Sequence, residues 1–147
     1  MQSFPHRYVT RAAGGPEGAL SLHGAGLPDL AIAAPAEFDG PGDRWSPETL
    51  LAGAVASCFV LTFRAVARAS RLAWTDLVCE VEGTLERVDG ETRFTEVLLR
   101  AILEVPPEVD RERAERILEK SERGCLITSS LRSRVRFEAH VSAAVGA

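Results

Sequence analysis

The chain has 147 residues, of which 46% are apolar and 26% are charged, and its formal net charge is −4. This size and mix are typical of one soluble globular domain covering residues 1–147, and they exclude a disordered chain. The acidic balance argues against a nucleic-acid or anionic-membrane partner, since either would need a basic face. The longest uncharged stretch, 49–63, has 15 residues, fewer than the roughly 20 of a membrane-spanning helix.

The first part of the chain predicts three short strands, at 7–12, 19–23 and 30–34. The cluster Gly14-Gly15-Pro16-Glu17-Gly18 lies between the first two strands and is typical of a turn. Residues 38–43 are a loop by composition. We therefore expect a small strand-rich region before the first helix.

A long helix is predicted from Ser46-Pro47-Glu48 to about Ala69. Its start combines a capping hydroxyl, a proline at the first helical position and a carboxylate at the positive end of the helix dipole. Residues 50–63 carry no charge on any side, which predicts a central helix buried on every face. In a small domain, such a helix must be covered by a sheet, by another helix or by a partner subunit.

Two strands, at 77–88 and 93–105, are predicted to form a hairpin around the turn Asp89-Gly90. Along both strands apolar side chains alternate with polar ones, which is typical of a sheet with one buried face.

A second helix and a last strand complete the chain. Asp110 is the candidate cap of a helix that ends near Arg123, and Gly124 suits the C′ position. Strand 134–141 follows, so the order βββ-α-ββ-α-β predicts an α+β chain with mainly antiparallel pairing. The inner stripe of the second helix should consist of Ala114, Ile117, Leu118 and Ser121.

The cysteines are Cys58, Cys79 and Cys125, an odd count without a Cys-x-x-Cys motif, which favours neither a disulfide framework nor a zinc site. Cys58 in mid-helix and Cys79 on an inward strand face fit the usual role of free cysteine as a small buried hydrophobe. Cys125 follows a helix end, at a corner where a thiol is free to move. A two-cysteine reaction needs one thiol in a dry pocket with a lowered pKa and a second thiol able to reach it.

Two segments of the sequence are specific enough to be compared with known family signatures. The first segment is Trp45-Ser46-Pro47-Glu48-Thr49-Leu50-Leu51, which is followed by Ala56-Ser57-Cys58. The second segment is 123–131, with the sequence Arg-Gly-Cys-Leu-Ile-Thr-Ser-Ser-Leu. Together they resemble the two signatures of the OsmC/Ohr family, the osmotically inducible and organic hydroperoxide resistance proteins. The resemblance implies antiparallel sheets wrapped around a central helix and an intertwined homodimer with its active sites at the subunit interface.

The resemblance also implies a thiol peroxidase. Cys58 matches the peroxidatic position, Cys125 the resolving position, and Glu48 a carboxylate that holds an arginine against the reactive sulfur. Glu48 and Cys58 are ten residues apart, about 15 Å along a helix. They cannot share a site directly on one helix, but they could meet if two copies of the helix ran antiparallel across a two-fold axis. The alternative for Glu48 is a carboxylate that serves only the helix dipole.

The sequence departs from the family pattern at two places. The family's usual arginine follows a Gly-Gly pair, whereas Gly14-Gly15 is followed by Pro16 and Glu17. Arg44 is our preferred substitute, through a pair with Glu48, and Arg11 is the second choice; either is alternatively a solvated surface arginine. The other departure is Leu126, where hydroperoxide reductases of this family often have proline.

These observations predict a cytoplasmic enzyme that reduces organic hydroperoxides and is restored by an external dithiol, with no bound cofactor. No metal is expected, because His6, His23 and His140 lack a second ligand at metal spacing. The alternative is a non-catalytic dimer that binds a small apolar ligand or senses oxidants. A cysteine hydrolase ranks last, because nothing places a histidine beside Cys58.

Overall fold

The computed structural model describes residues 2–144. The chain divides into two compact units at Leu50/Leu51, and each is described by itself. The order of helices and strands is that predicted, βββ-α-ββ-α-β, with two further single turns of 3-10 helix.

The first unit contains a three-stranded antiparallel sheet of β1 (Thr10–Ala13), β2 (Leu20–Gly24) and β3 (Leu30–Ile32), in that order. The three predicted strands are confirmed, but β1 begins three residues later and β3 ends two residues earlier than predicted. β3 ends early because the chain turns there: the N–H of Ala33 donates to the carbonyl of Trp45 at 3.0 Å, and a 3-10 turn follows at Ala36–Phe38.

The helix α1 (Pro47–Ala69) begins as predicted, immediately after Ser46. The Ser46 hydroxyl accepts the N–H of Thr49 at 3.1 Å, and the Thr49 hydroxyl accepts the N–H of Ser46 at 2.8 Å. This reciprocal pair satisfies two backbone donors that the helix leaves open, with Thr49 in the place usually taken by Glu or Gln.

One face of α1 is buried, and the opposite face is open. The wholly buried side chains recur every fourth residue and pack in the core of the second unit: Val55, Phe59, Phe63 and Ala67. Leu61, on the opposite face, is 61% exposed. The prediction of a helix buried on every face is therefore wrong for the single chain, because the sheet of the second unit covers one side only.

By length and composition alone, α1 could cross a membrane, and it is the one such helix within residues 2–144. The count of 15 uncharged residues understated its apolar length, because the charged residues of α1 lie only toward its two ends, Glu48 at the start and Arg64 and Arg68 near the finish. A core helix of a soluble protein has the same composition, and α1 contributes four wholly buried side chains to the core of the second unit.

The second unit contains the sheet β4 (Asp76–Val88), β5 (Glu91–Val105) and β6 (Arg134–Ala143). β4 and β5 are antiparallel and joined by Asp89-Gly90, where φ is 51° and 81°. Two positive φ values are those of a type I′ turn, so the predicted hairpin is confirmed. β6 runs parallel to β5, so antiparallel pairing prevails in the chain but does not extend to its last strand.

The parallel arrangement of β5 and β6 requires a crossover, which α2 (Arg111–Arg123) provides. Asp110 caps α2 by accepting the N–H of Glu112 at 3.1 Å, as predicted. The predicted inner stripe is confirmed in full: Ala114, Ile117, Leu118 and Ser121 are buried. Gly124 closes the helix with φ −89°, so it does not supply the left-handed residue that glycine commonly provides at this position.

Burial predicts that alanine substitutions at two neighbouring residues of β5 change the free energy of unfolding by very different amounts. Leu103 is 0% exposed, whereas Ile102, on the other face of the strand, is 53% exposed. We expect Leu103→Ala to lower the free energy of unfolding by about 2–5 kcal/mol, because it leaves a cavity. Ile102→Ala should cost about 1 kcal/mol or less. Urea unfolding followed by circular dichroism measures both, and equal losses would contradict this assignment of the two faces.

Candidate active site

Cys58 lies at the edge of the buried stripe of α1. It directly precedes the buried Phe59, just as Thr62 directly precedes the buried Phe63. Cys58 and Thr62 are therefore one helical turn apart on the same side of α1, and both are half-buried. Packing of the two phenylalanines in the core thus fixes the direction of the cysteine.

The end of α2 reaches α1 at this point. An added Cβ on Gly124 would lie 3.3 Å from the Thr62 side-chain methyl, so the glycine allows a close approach of the two segments. Cys125 follows and is 0% exposed. The Cys125 side chain is therefore enclosed in the second unit, and its freedom to move as a resolving thiol stays a prediction.

The chain turns tightly after Cys125. The Cys125 carbonyl accepts the Ser129 N–H at 3.2 Å, the Ser129 hydroxyl at 2.8 Å and the Thr128 hydroxyl at 3.1 Å. These three bonds hold residues 125–129 in one compact turn. The turn ends in a 3-10 segment, Thr128–Ser130, before the chain extends toward β6.

Four groups of this region act on the Cys58 sulfur. Burial raises the pKa of the Cys58 thiol, but hydrogen bonds from the Ile127 N–H, the Cys125 thiol, the Leu126 N–H and the Thr62 hydroxyl lower it. The net effect is a pKa below the ordinary value of a cysteine. The structure therefore brings Cys58 and Cys125 together and favours the thiolate of Cys58.

Cys79 has the opposite character. It lies half-buried on β4 among the side chains that pack against the core. Burial, with a smaller electrostatic contribution from the neighbouring Cys125, raises the pKa of Cys79 to about 11. Cys79 therefore remains a neutral thiol near pH 7, which supports its interpretation as a structural residue.

Glu48 and Arg44 belong to the first unit, and they do not pair there. The Arg44 Nε donates to the Asp43 carboxylate at 3.1 Å, so the predicted Glu48–Arg44 pair is wrong: the adjacent Asp43 takes the guanidinium. Among residues 2–144, the Oε2 atom of Glu48 is buried without any hydrogen-bond partner. Whether Arg44 or Arg11 influences Cys58 stays a prediction.

The Glu48 side chain lines an apolar cavity of about 410 Å³ in the first unit. Besides Glu48, the wall consists mainly of apolar side chains from β2, β3 and the following turn: Leu20, Ile32, Pro35 and Phe38. Within residues 2–144, no group of three or more His, Cys, Asp or Glu side chains is placed to hold a metal ion.

Sequence reasoning missed the two backbone N–H groups that face Cys58. Leu126 was noted only because its side chain differs from the family pattern, and Ile127 was not singled out. A backbone donor has no side-chain signature, so the sequence carries no direct signal for it. The spacing of four residues between Cys58 and Thr62 was the one available indication that Thr62 lies beside the thiol.

The α+β fold with two three-stranded sheets and two helices is that of OsmC-like proteins. This chain belongs to the OsmC family: the family model described as OsmC-like protein matches residues 40–140. A similar curated protein is the uncharacterized protein YmaD of Bacillus subtilis, 27% identical over 118 residues, which cover 78% of this chain and 79% of YmaD.

Solved structures share the fold over nearly the whole chain. An organic hydroperoxide resistance protein OsmC from Legionella pneumophila is 26% identical, with a TM-score of 0.75 over 95% of this chain and 99% of that one. An OsmC-like protein of unknown function from Vibrio cholerae has a TM-score of 0.83 at 17% identity, over 92% and 100% of the two chains. An organic hydroperoxide resistance protein from Elizabethkingia anophelis has a TM-score of 0.76 at 21% identity, over 97% and 100%.

The pKa values predict an order of alkylation. Thiolate forms above the pKa, so Cys58, with its lowered pKa, should react with iodoacetamide near pH 7. Cys79, with a pKa of about 11, has only about one thiolate in ten thousand molecules at that pH. Peptide mass spectrometry at pH 7 and at pH 10.5 should show Cys58 modified at both and Cys79 only at the higher pH. Modification of Cys79 first would contradict the assignment.

Proposed function

We propose that this protein is a thiol peroxidase that reduces organic hydroperoxides with Cys58. The observation that carries the proposal is the contact of a half-buried, thiolate-favouring Cys58 with the wholly buried Cys125. A second support is the likeness to the Legionella protein described as an organic hydroperoxide resistance protein. The family match runs across the boundary between the two units, which supports residues 1–147 as one functional domain.

In the first step, the Cys58 thiolate attacks the terminal peroxide oxygen. The O–O bond breaks, the sulfur gains that oxygen and becomes sulfenic acid, and the alkoxide takes a proton and leaves as an alcohol. Sulfur is oxidised by two electrons, and the peroxide is reduced by two. The N–H groups of Leu126 and Ile127 stabilise the attacking thiolate, because charge-assisted hydrogen bonds are stronger than neutral ones.

In the second step, the Cys125 sulfur attacks the Cys58 sulfenic acid. A disulfide forms, and the hydroxyl of the sulfenic acid leaves as water with the proton of the Cys125 thiol. An external dithiol then exchanges with this disulfide in two steps, which returns both thiols and oxidises the dithiol. The reaction requires no bound cofactor, and the reducing cytoplasm is the compartment that we propose for it.

We also propose that the protein is a homodimer in which two copies pair through the open face of α1. Leu61 on this face and Leu126 beside the cysteine pair are 61% and 75% exposed. Burying such side chains is favourable, at about 25 cal/mol per Å² of apolar surface. In an antiparallel pair of α1 helices, Glu48 of one copy would lie toward Cys58 of the other. The Glu48 Oε2 atom, which has no hydrogen-bond partner within residues 2–144, would then face the active site of the other copy.

The second candidate function is a non-catalytic dimer that binds a small apolar ligand or senses oxidants. The apolar cavity of about 410 Å³ favours it, because its volume is in the usual range of ligand sites. The replacement of the family arginine by Pro16 and Glu17 after Gly14-Gly15 also favours it. Consumption of cumene hydroperoxide by purified protein with excess dithiol separates the two functions, since only the peroxidase turns over.

The three cysteine-to-serine variants should differ in how they consume peroxide. Cys58→Ser should consume no peroxide, and Cys79→Ser, the matched control, should remain within about twofold of wild type. Cys125→Ser should react once and stall, because its sulfenic acid has no thiol to condense with and persists or over-oxidises. Dimedone should label Cys58 in Cys125→Ser and little in wild type. Full turnover by Cys125→Ser would instead indicate a one-cysteine enzyme.

The proposed dimer should depend on the open face of α1. Leu61→Glu places a charge in that face and should shift sedimentation toward a 15.9 kDa monomer. Val78→Glu is the matched control, since Val78 is 55% exposed on β4, and this variant should sediment like wild type. A wild-type monomer at micromolar concentration would contradict the proposed dimer.

A further inference from the structure

We propose that the polar face of the first sheet carries a binding site for a phosphate group, formed by Arg11, Ser21 and His23, with Asp29 as the residue that positions His23. This inference concerns the first unit alone and goes beyond the proposed peroxidase function. No cysteine takes part in the site, so either proposal can fail without the other.

The strand register places three of these side chains in one row across the sheet. Arg11 of β1 is the direct partner of His23 of β2. On the other side of β2, the pair at the start of β3 is Leu22 with Leu30, and the next residues in this antiparallel register are His23 and Asp29. Direct cross-strand partners project from the same face, with Cβ atoms about 4.5–5.5 Å apart. In agreement with this, the His23 Nδ1 atom lies 2.6 Å from the Asp29 Oδ1 atom.

The row lies on the exposed face of the sheet. Ser21 shares this face with His23, because alternate residues of a strand point the same way, and both side chains are exposed. Leu22, between them, points to the other face and is half-buried. That other face also contains Leu20, which lines the apolar cavity of Glu48. The row therefore belongs to a surface separate from that cavity.

A depression of about 160 Å³ lies on this face. Its lining consists of Arg11, Ala13, Ser21, His23 and Asp29. Ala13 and Ser21 are direct partners across β1 and β2, and their small side chains leave the space beside the row open. The volume equals that of about five water molecules at roughly 30 Å³ each, which is room for one phosphate group.

The charges around the depression favour an anion. Protonated His23 lies directly opposite Arg11, and like charges directly opposite each other across a sheet are destabilising. The one carboxylate among the five lining residues, that of Asp29, bonds the Nδ1 side of His23. The imidazolium Nε2–H, the Arg11 guanidinium and the Ser21 hydroxyl are then three donors at one depression. A tetrahedral dianion offers acceptors to all three and neutralises both positive charges.

Binding should depend on the protonation of His23. The titratable groups that line the depression with His23 are Arg11 on β1 and Asp29 before β3. In the neutral ring that donates from Nδ1 to Asp29, the Nε2 atom is an acceptor and repels an anion. The imidazolium has a second N–H in that place, and imidazole changes its charge between pH 5 and 8. We therefore expect tighter binding at pH 6 than at pH 8.

The test is a titration of the full chain with sodium sulfate at constant ionic strength, followed by the NMR signals of the His23 ring. Sulfate is the probe because it is a tetrahedral dianion whose own charge does not change between these pH values. We expect a saturable shift at pH 6 with a dissociation constant of about 1 mM. At pH 8 the affinity should be about tenfold lower or less, because few imidazole side chains remain protonated. The ring of His140, exposed on β6, is the internal control and should show no saturable shift.

Two variants test the charge. Arg11→Gln keeps a polar side chain but removes the cation, and should weaken sulfate binding about tenfold, the size of one hydrogen bond between charged groups. Arg87→Gln is the matched control, since Arg87 is exposed on β4. This variant loses the same charge elsewhere and should bind sulfate like wild type.

Two further variants test the positioning role of Asp29. Asp29→Ala leaves the His23 ring without its acceptor, whereas the amide oxygen of Asp29→Asn still accepts the Nδ1–H. Both variants remove the same negative charge, so the difference between them reports the orientation of the ring. Sulfate should bind several-fold more tightly to Asp29→Asn than to Asp29→Ala, and equal affinities would remove Asp29 from the site.

The absence of a saturable shift at pH 6, or an equal loss in Arg87→Gln and Arg11→Gln, would overturn the inference. So would tighter binding of acetate than of sulfate, because the site would then suit a planar carboxylate. Inorganic phosphate and methyl phosphate distinguish the two sources of a phosphate group. Equal affinity for both supports a site for the phosphate end of a larger molecule, and binding of inorganic phosphate alone supports a site for the free ion.

Discussion

The packing of one stripe of α1 in the core is the constraint on which the rest of the structure depends. Phe59 and Phe63 are wholly buried, and a helix rotates by about 100° per residue. Burying them therefore turns Cys58 and Thr62, each one residue earlier, toward the edge of the core. This edge is half-buried, and a thiol there is shielded from bulk water yet still reachable. The core thus sets both the direction and the solvation of the thiol before any neighbouring polar group acts on it.

The second consequence is electrostatic. A half-buried thiol is expected to have a raised pKa, and the raised value of Cys79 shows the effect where no donors oppose it. Cys58 has the reverse shift because hydrogen-bond donors converge on its sulfur. The pKa values of Cys58 and Cys79 therefore differ because of the groups that contact each sulfur, and not because of burial alone. Three of the four groups that lower the pKa of Cys58 therefore lie at or after the end of α2, and the fourth, Thr62, lies on the helix that carries the thiol.

The sequence predicted the elements well where periodicity and capping agree. Asp110 and the four-residue stripe of α2 were predicted correctly, because a cap and a 3.6-residue repeat are both local signals. The parallel direction of β6 was not predicted, since the alternation of a strand is the same in either direction. Arg44 was assigned by its distance along the chain from Glu48, and Asp43 beside it decided the pairing instead. The N–H groups at Cys58 could not be predicted, because every residue except proline carries one.

The parallel pairing of β5 with β6 also orders the events of folding. The β4–β5 hairpin closes around a two-residue turn, whereas Glu96 pairs with Arg134 across 38 residues of chain. Contacts between distant residues form late, because loop closure costs more entropy than a local turn. The Cys125 turn lies inside this crossover, after the β4–β5 hairpin in the chain. A chain still emerging from the ribosome would carry Cys58 without its partner thiol and without its hydrogen-bond donors. The surroundings that lower the pKa of Cys58 are therefore complete only late in synthesis.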